Sequence, residues 1–411
     1  MIPGDARVKI LILGGTVFLG RAIATQALAA GHAVTLFNRG VSQPDAFAPQ
    51  DGLTQVQGDR LDADTLAPLL SEPWDAIVDT CGTTVPMIAN TETLIQKQLA
   101  RSPQFRYVYI STIAVYEDLG IVGITESDTL RSPPRSVEIL DEASGDGQPT
   151  VITKNPATAA NSGGVYGTQR ANCERTLERF FKDHPANLIT LRPSLLVGPG
   201  DPTDRLTYWV RSLTQPGEVL IPNAGQQFLQ WVDVRDLAAW ILALLGRSAT
   251  EDATFYFPRV FNVGQPEKGA TLGEVWRACL GLGSESATLV PMDEAFLLDS
   301  GVQPWLDLPL WVPSFDKHMR GFTRMDTRKA ERAGLVLRPI ADTVRDVYEW
   351  DQSRSPQPLK AGLSSDRQTT LLKTWSDQGR RLDPSVAIAP VPVGPEPTQS
   401  QLDAWMIEGD D

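Results

Sequence analysis

The sequence predicts an α/β fold: a doubly wound parallel sheet with helices on both faces, joined to a smaller C-terminal lobe. Three observations point there. Residues 8–13 (VKILIL) form a continuous apolar run, as in a strand buried on both faces. A glycine turn, a helical stretch and a second apolar run follow within about thirty residues, which is a βαβ unit. The same alternation then recurs as far as residue 193.

Taken in order, residues 21–30 read as a helix closed by Gly31, and residues 33–37 as the second strand. Strands are predicted over 53–57, 75–80 (DAIVDT), 106–111 (RYVYIS) and 188–193 (LITLRP), and helices over 62–70 and 86–100. Residues 117–164 break the rhythm. They are rich in Pro, Gly, Ser and acidic side chains, and read either as an excursion over the strand ends that contributes to a lid or as a decorative loop. Beyond Gly198 the alternation loosens. Helices are predicted over 208–213, 237–245 and 271–281, and a strand over 261–264. Residues 303–314 (QPWLDLPLWVPS) hold too much proline for a helix, and their two tryptophans either fill the core or wall a pocket. The expected organisation is a nucleotide-binding domain over 1–200, a smaller substrate lobe over 201–382 interleaved with it, and a disordered acidic tail over 383–411. That tail carries six acidic residues, five prolines and no Lys or Arg.

Hydrophobic residues make up 42% of the chain and charged residues 21%, enough apolar surface for a core. Thirty-seven Lys and Arg against fifty Asp and Glu leave a net charge of −13, which argues against a nucleic-acid backbone as partner. Cys81, Cys173 and Cys279 lie far apart and His32, His184 and His318 show no ligand-like spacing, so neither a disulfide framework nor a metal site is expected. The longest apolar stretch, residues 238–245, is too short to span a bilayer. The N-terminus enters a strand within a few residues and leaves no room for a signal peptide. These features together predict a cytoplasmic protein of a reducing compartment, with no membrane partner.

The first turn reads Gly14-Gly15-Thr16-Val17-Phe18-Leu19-Gly20. Glycines between a buried strand and a helix allow a tight turn and let a pyrophosphate reach the helix N-terminus. This turn resembles the short-chain dehydrogenase/reductase superfamily in its extended, NAD-dependent epimerase/dehydratase branch. More narrowly, it is similar to an atypical subgroup that includes the chloroplast stem-loop-binding proteins and many bacterial reductase-like proteins. The resemblance implies a Rossmann-like domain. Gly14 and Gly20 match the outer glycines of the family turn, and Val17 replaces the middle one, setting a side chain near the diphosphate. Thr16, Phe18 and Leu19 complete the implied phosphate cradle.

After the second strand comes Asn38-Arg39-Gly40, with no acidic residue to accept the ribose hydroxyls of NAD. Arginine suits a 2′-phosphate, so NADP is preferred over NAD, although Arg39 also fits a solvated surface position. By the same resemblance Asp59 and Arg60 lie near the adenine. Thr80, Cys81 and Gly82 pass the ribose and diphosphate, and Pro193 lies beside the nicotinamide. Trp231 to Leu237 resembles the segment that returns toward the substrate, where Asp236 is expected to cap a helix.

The family's catalytic Ser/Thr aligns with Thr112, in Ser111-Thr112-Ile113-Ala114-Val115-Tyr116. Its Tyr-x-x-x-Lys pair aligns with Tyr166 and Arg170, an arginine replacing lysine. Four-residue spacing sets both on one helix face. A tyrosine whose free pKa is about 10 needs a nearby cation to exchange its proton near neutral pH. Arginine supplies that charge and can hold a ribose, but it does not relay a proton. The implied function is an NAD(P)(H)-dependent oxidoreductase on a small carbonyl or alcohol, with Tyr166 as proton donor or acceptor. A nucleotide-sugar epimerase or dehydratase stays open, as does a catalytically degenerate cofactor-binding scaffold or RNA-binding protein. Many relatives pair through a two-helix face, so a homodimer is also an expectation.

Overall fold

The apolar runs pair side by side. β1 (Lys9–Leu13) lies between β2 (Ala33–Asn38) and β4 (Ala76–Asp79). Outward from these run β3 (Leu53–Gln57) on one side, and β5 (Arg106–Ile110), β6 (Leu188–Pro193) and β10 (Val260–Val263) on the other. This is a computed structural model, and it describes residues 7–132, 159–247, 258–283, 287–354 and 357–387. All seven strands are parallel, in the order β3-β2-β1-β4-β5-β6-β10. The order reverses between β1 and β4, which places a crevice for ligand beyond their carboxyl ends. Register aligns those ends: Leu13 opposes Phe37 on one side and Asp79 on the other, and Ile110 opposes Leu191.

Alternate strand residues feed two cores. Ile10, Ile12, Val34 and Leu36 pack with α1 (Phe18–Ala29) and α6 (Val234–Leu245) on one face. Leu11, Leu13, Tyr107 and Tyr109 pack on the other with α3 (Glu92–Arg101) and α4 (Ala159–Phe180). A separate core builds the C-terminal lobe around Trp209, Trp276, Trp311 and Trp375. It draws on α5 (Arg205–Leu213), α7 (Leu272–Leu280), α10 (Ile340–Ser353) and α11 (Ser365–Asp377), with β8 (Glu218–Pro222) paired to β11 (Thr288–Met292). Short helices α8 (Glu294–Asp299) and α12 (Pro384–Ala387) complete the lobe, and α9 (Arg328–Arg332) packs its Ala330 into the sheet core beside β10. β7 (Leu195–Val197) pairs with β9 (Trp231–Asp233), linking sheet and lobe. Because α6 and β10 return to the sheet, the two lobes interleave along the chain.

Several local expectations are corrected. The helix over 86–100 is two, α2 (Val85–Ala89) and α3, because the Thr91 hydroxyl donates to Ile88 O at 2.6 Å and competes with the helical ladder. Residues 63–69 form a 3₁₀ turn containing Pro68, which has no amide hydrogen to donate. Asp233, not Asp236, caps α6, accepting from Arg235 N at 2.9 Å; Asp236 instead pairs with Arg338 at 2.7 Å. The two tryptophans of 303–314 divide: Trp311 is fully buried, whereas Trp305 stays partly exposed against Phe322. Of the excursion, residues 117–132 fold back through a Tyr116–Leu130 bridge and bury Leu119 and Ile124; residues 133–158 lie outside the described residues. So does the acidic tail from residue 388 onward.

Candidate functional site

The phosphate turn is built as its glycines require. Gly14 and Gly15 have φ of +104° and +100°, where a side chain is strained. A Cβ on Gly14 would sit 2.4 Å from Thr80 Oγ1, and one on Gly20 2.8 Å from the Gly15 backbone. Val17 is extended and offers α1 no side-chain cap, while the Thr16 hydroxyl donates to Ser42 O at 2.8 Å. The first N–H groups of α1 are therefore left for an anion. Phe18 enters the helix at φ +42°, a left-handed conformation unusual for a bulky side chain. Leu19 is buried beneath the turn.

Beyond β2, Asn38 Oδ1 accepts from Gly40 N at 2.8 Å and shapes the turn that carries Arg39. Arg39 is exposed, and its guanidinium has no partner among the described residues. Asp59 caps its own turn, accepting from Leu61 N at 3.0 Å. Arg60 points inward: it is 4% exposed and pairs with Asp79, 0% exposed, at 2.6 Å. Asp79 also accepts from Cys81 N (3.2 Å), Gly82 N (2.8 Å) and the Tyr107 hydroxyl (2.7 Å). Burial opposes the Arg60 charge, but Asp79 outweighs it and holds the guanidinium above its ordinary pKa. This pair sets the course of Thr80, Cys81 and Gly82 from below. Thr80 donates to Leu13 O at 2.9 Å, stitching the ends of β1 and β4. Burial pushes the Cys81 thiol up, so it is a poor nucleophile at neutral pH.

The candidate catalytic residues lie on two elements in contact, α4 and the 3₁₀ turn after β5. A Cβ at Gly167 would fall 2.0 Å from Ala114 O, so glycine is what lets α4 approach. Its neighbour Tyr166, 44% exposed, thus stands beside the turn that begins at Thr112. Thr112 Oγ1 accepts from Ala114 N at 3.2 Å, leaving its own hydrogen to donate. Arg170 lies beneath, 3% exposed, with its terminal nitrogens donating to Gly82 O and Ile110 O. Its guanidinium carbon is 4.9 Å from the Tyr109 ring centre and 5.9 Å from that of Tyr166. Arg170 Nε is buried without a partner, a donor left over for a ligand hydroxyl. Pro193 is buried at the end of β6.

Sequence reasoning missed what supports this site. Glu174, one turn beyond Arg170, accepts from Ser111 and from Arg192 (2.7 Å). Arg192 also donates to Tyr116 OH at 2.9 Å, and that hydroxyl donates to Asn262 Oδ1 at 2.5 Å. Burial pushes the Tyr116 phenol up, leaving Tyr166 as the open hydroxyl near Thr112. The available signal was a charge inside an apolar strand, as in LITLRP and DAIVDT. Among the described residues no cluster of side chains is arranged to hold a metal, and no helix is long and apolar enough to cross a membrane.

The sequence matches the NAD(P)H-binding family over residues 14–132 and the NAD dependent epimerase/dehydratase family over 141–264. These two segments are similar to the extended short-chain dehydrogenase/reductase (NAD-dependent epimerase/dehydratase) family. The chain is 24% identical over 293 residues to the chloroplast stem-loop binding protein of 41 kDa b from Arabidopsis thaliana. That match covers 69% of this chain and 65% of the relative, less than two thirds of its length. The fold is shared with epimerase Mth375 of Methanothermobacter thermautotrophicus (TM-score 0.54, 16% identity), over 84% of this chain and 93% of that one. It is shared also with WbmG of Bordetella bronchiseptica, solved with NAD and UDP (0.54, 17%), over 84% and 96%. The glycine cradle, uncapped α1 and orphaned Arg170 Nε fit a nicotinamide dinucleotide.

Proposed function

We propose that this chain is an NAD(P)(H)-dependent oxidoreductase acting on a small carbonyl or alcohol. The observation that supports the reading is the contact of Gly167 with Ala114, which packs the helix carrying Tyr166 on the turn that begins at Thr112. A bound nicotinamide would supply hydride exchange. Gly14, Thr16, Phe18, Leu19 and Gly20 would hold its diphosphate, Asn38 and Arg39 its adenosine ribose, and Thr80, Cys81 and Gly82 the stretch between. Tyr166 gives or takes a proton at the substrate oxygen, and Thr112 donates a hydrogen bond to that oxygen. Arg170 contributes a fixed charge and its spare Nε–H. Arginine does not shuttle protons, so Tyr166 exchanges directly with solvent, which its exposure permits. The unpartnered Arg39, with no carboxylate in the 38–40 turn, favours NADP over NAD.

A second reading, interconversion of a nucleotide sugar with the cofactor regenerated in each turnover, is favoured by the epimerases that share this fold. The test is a fluorescence titration with NADPH and with NADH, followed by a screen of carbonyl substrates. The expected result is tighter NADPH binding, weakened by Arg39→Ala, and stoichiometric NADPH consumption lost in Tyr166→Phe. Turnover without net consumption would move the assignment to the epimerase. No binding of either cofactor would overturn both.

A further inference from the structure

Residues 117–132 leave the turn after Thr112 and come back to it, and Arg131 is where they close. Its main-chain N–H donates to Val115 O at 2.8 Å and its Nε–H to Ala114 O at 3.0 Å. One residue thus holds two successive carbonyls of the 3₁₀ turn Ile113–Val115. The Tyr116–Leu130 bridge sets the register of this return. From the other side α4 reaches across through Arg175. Its Nη2 donates to Arg131 O at 2.8 Å and to Leu130 O at 3.2 Å, and its Nη1 donates to Asn172 Oδ1 at 3.0 Å. Arg131 stands between the turn and the helix and is bonded to both.

These contacts converge on Ala114. Its N–H donates to Thr112 Oγ1 at 3.2 Å, and its carbonyl is the one that Gly167 abuts. A Cβ at Gly167 would fall 2.0 Å from Ala114 O and 2.9 Å from Arg131 Cδ, and one at Gly164 would lie 3.8 Å from Arg131 Nη1. The arginine side chain therefore runs along the two glycines on either side of Tyr166. The peptide groups of Ala114 meet the Thr112 hydroxyl at one end and the α4 backbone at the other. A carbonyl in a packed contact is held in one direction only when a donor fixes it, and here the donor is Arg131 Nε–H. No carboxylate pairs with Arg131 among the described residues, so its side chain contributes this donor and its volume rather than an ion pair.

We infer that Arg131 is a positioning residue for the proposed reaction: by fixing the Ala114 carbonyl it sets how α4, and Tyr166 with it, lies on the turn that orients the Thr112 hydroxyl. The inference rests on the oxidoreductase reading, in which Tyr166 and Thr112 act on one substrate oxygen. It also gives the described end of the excursion a task, that of a staple between the two elements that carry those residues.

The test is fluorine NMR of the full chain labelled with 3-fluorotyrosine, in which the seven tyrosines report separately. The line lost in Tyr166→Phe is that of Tyr166, and the others are assigned in the same way. Gly167→Ala sets the scale, because its methyl forces the helix off Ala114. Arg131→Met keeps the shape of the side chain without a donor, whereas Arg131→Gln sets an amide N–H where Nε stood. The Tyr166 line is expected to move by more than its own width in Arg131→Met and to keep its wild-type place in Arg131→Gln. The lines of Tyr107, Tyr208 and Tyr348 should stay where they are. Arg131→Leu makes the same comparison should the methionine variant not fold. A Tyr166 line unmoved in Arg131→Met, one that moves as far in Arg131→Gln, or a movement shared by Tyr107, Tyr208 and Tyr348, as a general loss of stability would give, overturns the positioning role. NADPH added to wild type should also move the Tyr166 line. A line indifferent to NADPH overturns the cofactor reading instead, while the Arg131 comparison stands.

Discussion

Replacing Asp79 by asparagine tests how the site is supported. The side chain keeps its size but loses its charge, and Arg60, 4% exposed, is left without a counter-ion. Asp79 accepts from Arg60, Cys81 N, Gly82 N and Tyr107, and an amide carries a single acceptor oxygen for these donors. Breaking a buried pair from one side costs about 3–5 kcal/mol. With an m-value of about 3 kcal/mol/M in urea, the unfolding midpoint falls by about 1–1.7 M. Circular dichroism and tryptophan fluorescence are the assays. The double variant Asp79→Asn/Arg60→Met removes the stranded cation and should be more stable than Asp79→Asn alone. NADPH affinity should fall with Asp79→Asn, because the Cys81 and Gly82 amides lose their anchor. A midpoint shift below about 0.3 M, or a double variant less stable than the single one, would refute the pair as the prop beneath the β4 turn.

Two further outcomes are expected. Gly20→Ala places a methyl 2.8 Å from the Gly15 backbone and should weaken NADPH binding about tenfold or more by fluorescence titration, while Gly31→Ala, with open space around it, leaves binding unchanged. Asp233 has its carboxyl held down: burial opposes the charge, but hydrogen bonds from Arg235 outweigh it. A depressed folded pKa gives stability that is complete above the unfolded value of 3.8 and lost as pH falls through the folded one. Asp233→Asn should therefore lower the melting temperature at neutral pH and flatten its decline below about pH 4; a parallel decline in both proteins would count against Asp233 as the titrating group.

Much of the sheet was legible because a parallel strand buried on both faces is predominantly apolar, as in Ile10 to Leu13 and, with Thr190 as the one exception, Leu188 to Leu191. The phosphate turn was legible because its glycines are demanded by positive φ and close approach. Helix starts came out three residues late at Phe18, Arg205 and Val234, since N-terminal turns rest on contacts outside the helix. β8 and β11 were not foreseen: each is five residues, and they pair with each other across about seventy positions, which no local pattern announces. Asp79 and Glu174 escaped for a related reason. A charge in an apolar strand, Asp79 or Arg192, shows that a partner exists, but Arg60 and Glu174 become those partners only once the sheet and α4 have packed.

The exchange of lysine for arginine at position 170 changes what α4 delivers. A lysine ammonium is a compact point charge that can exchange a proton, whereas a guanidinium is a planar fork that suits two acceptors at once. Arg170 uses the fork on Gly82 O and Ile110 O, carbonyls that follow or end neighbouring strands β4 and β5. Gly82 O is shared with the Tyr109 hydroxyl at 2.8 Å, so the cation, the ring beneath it and the β4 turn form one unit. The positive charge that a tyrosine proton donor needs is thereby fixed 5.9 Å from the Tyr166 ring, while any route for the proton runs elsewhere. On the proposed oxidoreductase reading, charge and proton relay, joined in a lysine, are separated: Arg170 would supply the field from a buried position, and the half-exposed Tyr166 would exchange its proton with solvent or with the substrate itself.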